Sequence, residues 1–276
     1  MAESLGLRPG RLRLLNDFVA VGLALPQVAP HDKLVVHEGT PLHNRPIACL
    51  GPGTGLGQVF GVRTASDGLS ICPSEGGESD FVARSSTEWA LREHIAATLA
   101  TSHVKVEHVA AASGIYRIWD FLQENSMGEP AKKQKLGPPS DGIAAAIRAS
   151  ADPSAVVAAH GTRGAAGEDA MCVRAVDLFI NALGVEAANL ALRFQAHGGV
   201  YIAGGVTAKL AARLTGDTRL REAYLSKGKS VAAYEGCPLY VVNVEGDELG
   251  MDGAWAFVQV EARAWTNPEA GGLSRS

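Results

Sequence analysis

Five short segments of this 276-residue chain carry residue types able to do chemistry on a phosphate or a polyol. Gly51-Pro52-Gly53-Thr54-Gly55-Leu56-Gly57 lies between two strand-like runs. Glycines let a backbone bend tightly and bring its N–H groups close to a phosphate, and the Thr54 hydroxyl adds a donor. The same run also reads as a plain glycine-rich hairpin turn. Glu75-Gly76-Gly77-Glu78 puts two carboxylates three residues apart on a flexible turn after a strand. Such a pair can hold sugar hydroxyls or a metal, or simply line a surface turn. Asn16-Asp17 offers an amide and a carboxylate, which is also what a helix cap needs. Glu107 sits near a predicted strand end, where a carboxylate is most often a surface group, and Gly204-Gly205 follows a buried apolar run. Two common phosphate motifs are excluded. Ala223 stands where a P-loop needs its first glycine before Gly228-Lys229-Ser230, and Leu56 interrupts the dinucleotide fingerprint.

Composition narrows the partners. Hydrophobic residues make up 46% and charged residues 20%, enough apolar mass for a substantial core and too much for a disordered chain. The 25 Lys+Arg against 29 Asp+Glu leave a net charge of −4, so no basic field exists to hold nucleic acid. Cys49, Cys72, Cys172 and Cys237 are scattered without a C-x-x-C pair, so neither a disulfide framework nor a zinc site is expected. No metal-ligand set stands out, and a reducing, cytoplasmic setting is the expectation. No uninterrupted apolar run approaches membrane length. Arg8, Arg11 and Arg13 precede the apolar Phe18–Leu25 in the order of a secretory leader. Asn16-Asp17 breaks the pattern, and Pro26 ends it without a cleavage signature, so no leader is expected.

The elements that must position these residues follow from periodicity. Strands are predicted at Leu12–Leu15, Lys33–His37, Pro46–Leu50, Gln58–Val62 and Leu69–Cys72, the later ones as a continuing antiparallel sheet. Asp17 is placed to cap a helix running to about Leu25, stopped by Pro26. Helical spacing covers Ser86 to about Ala100, Ile115–Leu122 and Leu249 to about Trp265. The longest helix spans about Glu168–Gln195, broken by Gly198. Strands at Val200–Ala203 and Leu239–Asn243 alternate with helices, which argues a largely parallel sheet in this half. Lys132–Pro139 reads as a polar linker.

Taken in order, the segments resemble one family. Leu15-Asn16-Asp17-Phe18, the Gly51–Gly57 loop, Pro73–Phe81, Val106-Glu107-His108-Val109, Val200–Gly205 and Leu249–Ala254 are together similar to bacterial-type glucokinases. The resemblance covers about Leu12 to Trp255. It implies an α/β chain of the actin-like (ribonuclease H-like) ATPase fold, in which ATP with Mg²⁺ phosphorylates the 6-hydroxyl of glucose between two closing domains. By that resemblance Asp17 matches the general base and Asn16 its sugar-binding neighbour. Glu75 and Glu107 match carboxylates that hold glucose hydroxyls. Gly53, Thr54 and Gly55 match a phosphate loop, and Gly204 and Gly205 the adenosine-side turn. Gly250 and Gly253-Ala254 match an interdomain connection.

Two positions depart from the pattern. Glu78 replaces the family's histidine beside the sugar and is expected to bind the sugar there, more weakly. Of the two close carboxylates Glu75 and Glu78, one is expected to have a raised pKa. The family's opening Asp-x-Gly-Gly-Thr phosphate hairpin is not found before Asp17. The expected organisation is therefore a small-domain remnant at 1–25, a large C-terminal α/β domain at 26–248 and a helix at 249–276 returning to a truncated small domain. Expected partners are glucose and ATP, without nucleic acid or membrane, and a homodimer is an open option. The alternative is a catalytically impaired relative that binds sugar or a partner protein.

Overall fold

Residue alternation in the central strand explains why the sheet is covered on both sides. In Ile47–Pro52 every residue is buried: Ala48 and Leu50 face one apolar cluster, Ile47 and Cys49 another. A strand buried on both faces needs a helical layer above and below. The computed structural model describes residues 4, 6, 12–64, 68–126, 140–162, 164, 167–244 and 246–266. Among these, six strands form one mixed sheet: β1 (Lys33–His37), β2 (Ile47–Pro52), β3 (Leu56–Arg63), β4 (Leu69–Ser74), β5 (Gly199–Ile202) and β6 (Leu239–Val242). Their spatial order is β1-β6-β5-β2-β3-β4. β2, β3 and β4 run antiparallel to their sequence neighbours, as the short connections require. β5 pairs parallel with both β2 and β6, as expected for this half, while β1 closes the edge antiparallel to β6.

The helices are α1 (Asp17–Ala24), α2 (Ser86–Thr98), α3 (Glu107–Ala110), α4 (Ala112–Ser126), α5 (Asp141–Ala149), α6 (Pro153–His160), α7 (Ala170–Phe194), α8 (Gly205–Lys209), α9 (Ala211–Thr215), α10 (Arg219–Tyr224) and α11 (Gly246–Thr266). α7 lies across β2 and β5, and α4, α6 and α10 pack around it. Its length and apolar composition would suffice to cross a membrane, yet 78% of its most apolar stretch is buried in the fold. Asp169 caps it by accepting from the Met171 and Cys172 amides, and Gln195, in a left-handed conformation, ends it before Gly198 is reached. Asp177 on α7 pairs with Arg213 and Arg219, tying α9 and α10 to it. On the other face α1 covers β3 and β4, and α11 lies against α1.

Three sequence expectations need correction here. Leu12–Leu15 forms no strand: the segment has no regular secondary structure, and Leu14 is 81% exposed. An apolar run without a sheet edge to pair with has nothing to hold it as a strand. The cap of α1 is Asn16, whose Oδ1 accepts from the Phe18 and Val19 amides at 3.0 Å each, which frees Asp17 from capping. Glu107 does not stand near a strand end but opens α3. Lys105 makes only an isolated antiparallel bridge with Asp80 before the chain turns into that helix. The Lys132–Pro139 linker lies outside the described residues.

Candidate active site

Phe18 sets the geometry of the site. Its ring lies against Gly51 and Gly57, a cross-strand pair at the β2–β3 hairpin, so closely that a Cβ at either position would overlap the ring. Glycine at both positions lets α1 approach the hairpin, and the approach carries Asn16 and Asp17 to its mouth. The hairpin tip is closed by the Gly53 amide donating to the Gly55 carbonyl at 2.8 Å. The Gly53 carbonyl in turn accepts from the Ala112 amide at 3.0 Å, fastening the loop to the start of α4.

A cleft of about 790 Å³ opens beside this loop. Asn16, Asp17, Gly53, Thr54, Gly55, Glu75, Glu107, Gly204 and Gly205 all line it, although they come from five separate stretches of chain. Asp17 and Glu75 are exposed in it, and Glu107 is half-buried. A Cβ on Gly55 would lie 2.9 Å from Oε2 of Glu107, which fixes that carboxylate oxygen directly over the glycine loop. Around Gly205 no atom would come within 4 Å of such a Cβ, and Gly53 is nearly as open. Gly53 and Gly205 thus both face open space at the cleft, and the Gly204 turn lies beside the hairpin, where a Cβ on Gly204 would sit 3.5 Å from the Pro52 carbonyl oxygen.

Glu78 is not among the lining residues. The turn after β4 is a defined 3-10 helix, Gly76–Glu78, rather than a loose loop. It sends Glu78 outward to Lys105, whose Nζ lies 2.6 Å from Glu78 Oε2. The Lys105 ammonium holds the Glu78 carboxyl below the ordinary carboxylate range, so the expected upward shift from repulsion with Glu75 does not occur at Glu78.

Sequence reading passed over Gln58, Asp247 and Lys105. Gln58 is buried under the Glu75–Glu78 turn, where its Oε1 lies directly against Gly76. Its Nε2 donates to buried Glu186 on α7 at 3.1 Å, so the core helix braces the turn from below. The signal was its inward place in the strand alternation immediately after Gly57. Asp247 lines the cleft from the first turn of α11. It precedes the Leu249–Ala254 segment by two residues and reads locally as an ordinary first-turn acid.

His108 sits behind Glu107, with Nδ1 accepting from the Lys105 amide at 3.2 Å. Burial, then the charges of Arg117 and Lys105, pushes its pKa below 6.5, against weaker opposing pulls from Glu107 and Glu78. The unfolded chain therefore takes up this proton first. Stability should fall as pH drops from about 6.5 through the folded pKa, and this contribution should level off below it. Urea unfolding between pH 7.5 and 5 should display that decline, with a shallower one in His108→Gln. Identical pH slopes in the two proteins would contradict the assignment.

The family model described as Glucokinase matches residues 1–261. The glucokinase of Nostoc sp. is 31% identical over 253 residues, covering 88% of this chain and 69% of that relative. The chain belongs to the glucokinase family. Its backbone superposes on the crystal structure of a glucokinase from an Antarctic psychrotroph with a TM-score of 0.68 at 26% identity, covering 89% of this chain and 67% of that one. A glucokinase from Balamuthia mandrillaris, solved in complex with glucose, superposes with a TM-score of 0.72 at 18% identity, over 91% of this chain and 66% of that one. The mixed sheet with helices on both faces is thus the actin-like fold of glucokinases and related sugar kinases.

Proposed function

We propose that this glucokinase-family chain transfers a phosphoryl group from ATP to the 6-hydroxyl of glucose, with Asp17 as general base. The observation that carries the reading is the convergence in one cleft of a helix-start carboxylate, two further carboxylates and a glycine loop. A sugar hydroxyl is a poor nucleophile, and a carboxylate accepting its proton as the new P–O bond forms contributes ~10²–10⁴ in rate. Asn16 spends its side-chain oxygen on the helix cap, which leaves its amide NH₂ to donate to a sugar hydroxyl. Glu75 and Glu107 accept from other hydroxyls and orient the ring. The Gly53-Thr54-Gly55 turn would hold phosphates, and Gly204-Gly205 the adenosine side. Mg²⁺ travelling with ATP would neutralise phosphate charge. Among the described residues no group of three or more His, Cys, Asp or Glu side chains is close enough together to hold a metal ion by itself, so the ion would be held chiefly by phosphate oxygens and water.

In this reading the domain boundaries fall near Leu25 and Leu249, with α1 and α11 on one flank of the cleft and the β2–β3 hairpin on the other, and the enzyme works in the cytoplasm. The four free cysteines suit a reducing compartment. The test is formation of glucose 6-phosphate from glucose and Mg²⁺–ATP, and its absence would overturn the reading. Glu75→Gln should raise the glucose KM by ~10-fold with the ATP KM unchanged, since a hydrogen bond to a charged acceptor contributes about 1.5–3 kcal/mol. An unaltered glucose KM would remove Glu75 from the sugar site.

A further inference from the structure

The Glu78 side chain leaves the cleft, yet it joins a chain of charges that leads back in. Residues 79–81 pair with 104–106: the Val106 amide donates to the Ser79 carbonyl and the Phe81 amide to the Val104 carbonyl, each at 2.8 Å. This brings Lys105 alongside Glu78, with Nζ 2.6 Å from Glu78 Oε2 and 3.5 Å from Glu107 Oε1. Lys105 thus engages one oxygen of Glu107, while the other, Oε2, is the oxygen lying over Gly55 at the cleft. A carboxylate terminus otherwise rotates broadly about its last bond.

We propose that Lys105 is a positioning residue for sugar binding, holding Oε1 of Glu107 so that Oε2 faces the cleft, with Glu78 anchoring Lys105 from outside. The inference rests on the reading that Glu107 holds a glucose hydroxyl. It assigns a role to the glutamate that stands in place of the family's histidine: Glu78 acts through Lys105 rather than by touching the sugar. Lys105 is three-quarters buried at its side chain and Glu78 is half exposed. An ion pair whose carboxylate is half exposed adds little to stability, so its consequence is orientation. Without Lys105, two carboxylates would be left facing each other across the gap, and repulsion would turn Glu107 away from its working direction.

The test is steady-state kinetics on four variants of the full chain. Lys105→Met should raise the glucose KM about three- to tenfold, the equivalent of one neutral hydrogen bond, with kcat and the ATP KM within about twofold of wild type. Lys105→Arg, which keeps the charge and the donors, should restore most of the loss. Glu78→Gln should raise the glucose KM by about threefold in the wild-type background but change nothing further when combined with Lys105→Met. Equal effects of Glu78→Gln in both backgrounds would mean that Glu78 meets the sugar itself, overturning the inference. So would a Lys105→Met enzyme with an unchanged glucose KM. In both cases the proposed function stands. A wild-type chain that fails to phosphorylate glucose overturns that function and this inference together.

Discussion

An Asp17→Asn variant should lose ~10²-fold or more of its glucose turnover while the glucose KM stays within about threefold of wild type. The substitution keeps the size and shape of the side chain, while it removes the negative charge and the ability to accept a proton. The fold makes this a clean experiment. Because Asn16 caps α1, Asp17 has no capping bond to lose beyond the contact of its Oδ1 with the Phe18 amide at 2.8 Å. The loss of a first-turn negative charge should cost no more than about 1 kcal/mol of stability. A drop in kcat would therefore report chemistry rather than unfolding. Near-normal turnover would assign the base elsewhere, and Asp247 is the other first-turn aspartate exposed in the cleft.

The second large effect concerns how α1 is held. Gly253 on α11 lies against the carbonyl of Ala20 on α1, and a Cβ there would sit far inside that oxygen's van der Waals radius. Backbone cannot swing aside as a side chain can, so Gly253→Ala must push the two helices apart. Overpacking of this kind costs about 1–3 kcal/mol or more, and the upper end is expected where backbone is the obstacle. Turnover should fall as well, since α1 carries Asp17. Gly250, one turn earlier in the same helix, has nothing within 4 Å of its would-be Cβ. There Gly250→Ala should raise stability, by about 0.5–1 kcal/mol, because alanine favours a helix interior. Urea unfolding of the pair should move in opposite directions. A Gly253→Ala protein as stable as wild type would mean that the crossing is looser than described.

Much of the fold was legible because burial imposes periodicity. Apolar residues at three and four announced α7, and β-branched runs bounded by glycine and proline announced β1 to β6. The failures share a cause. Leu12–Leu15 has strand composition, but a strand exists only by pairing, and no edge accepts it. The segment around Glu107 has strand-like residues on either side of a turn, and one isolated bridge was all that pairing could add before α3 began. The glycine motif was visible, whereas its reason was not. Gly51 and Gly57 accommodate the ring of Phe18, more than thirty residues earlier in the chain.

By itself the sequence determined the chemistry available: the carboxylates at 17, 75 and 107, the glycine loop at 51–57, and a family resemblance carried by the order of short motifs. These are properties of residue type and spacing, which survive without coordinates. Tertiary structure alone decided which of those groups meet. It brought Asp17, Glu75 and Glu107 to one cleft, turned Glu78 away from it, and put Lys105 between Glu78 and Glu107. Coulomb attraction and hydrogen bonding act over a few ångströms, and a lysine 27 positions from its glutamate becomes its partner only when segments 79–81 and 104–106 pair.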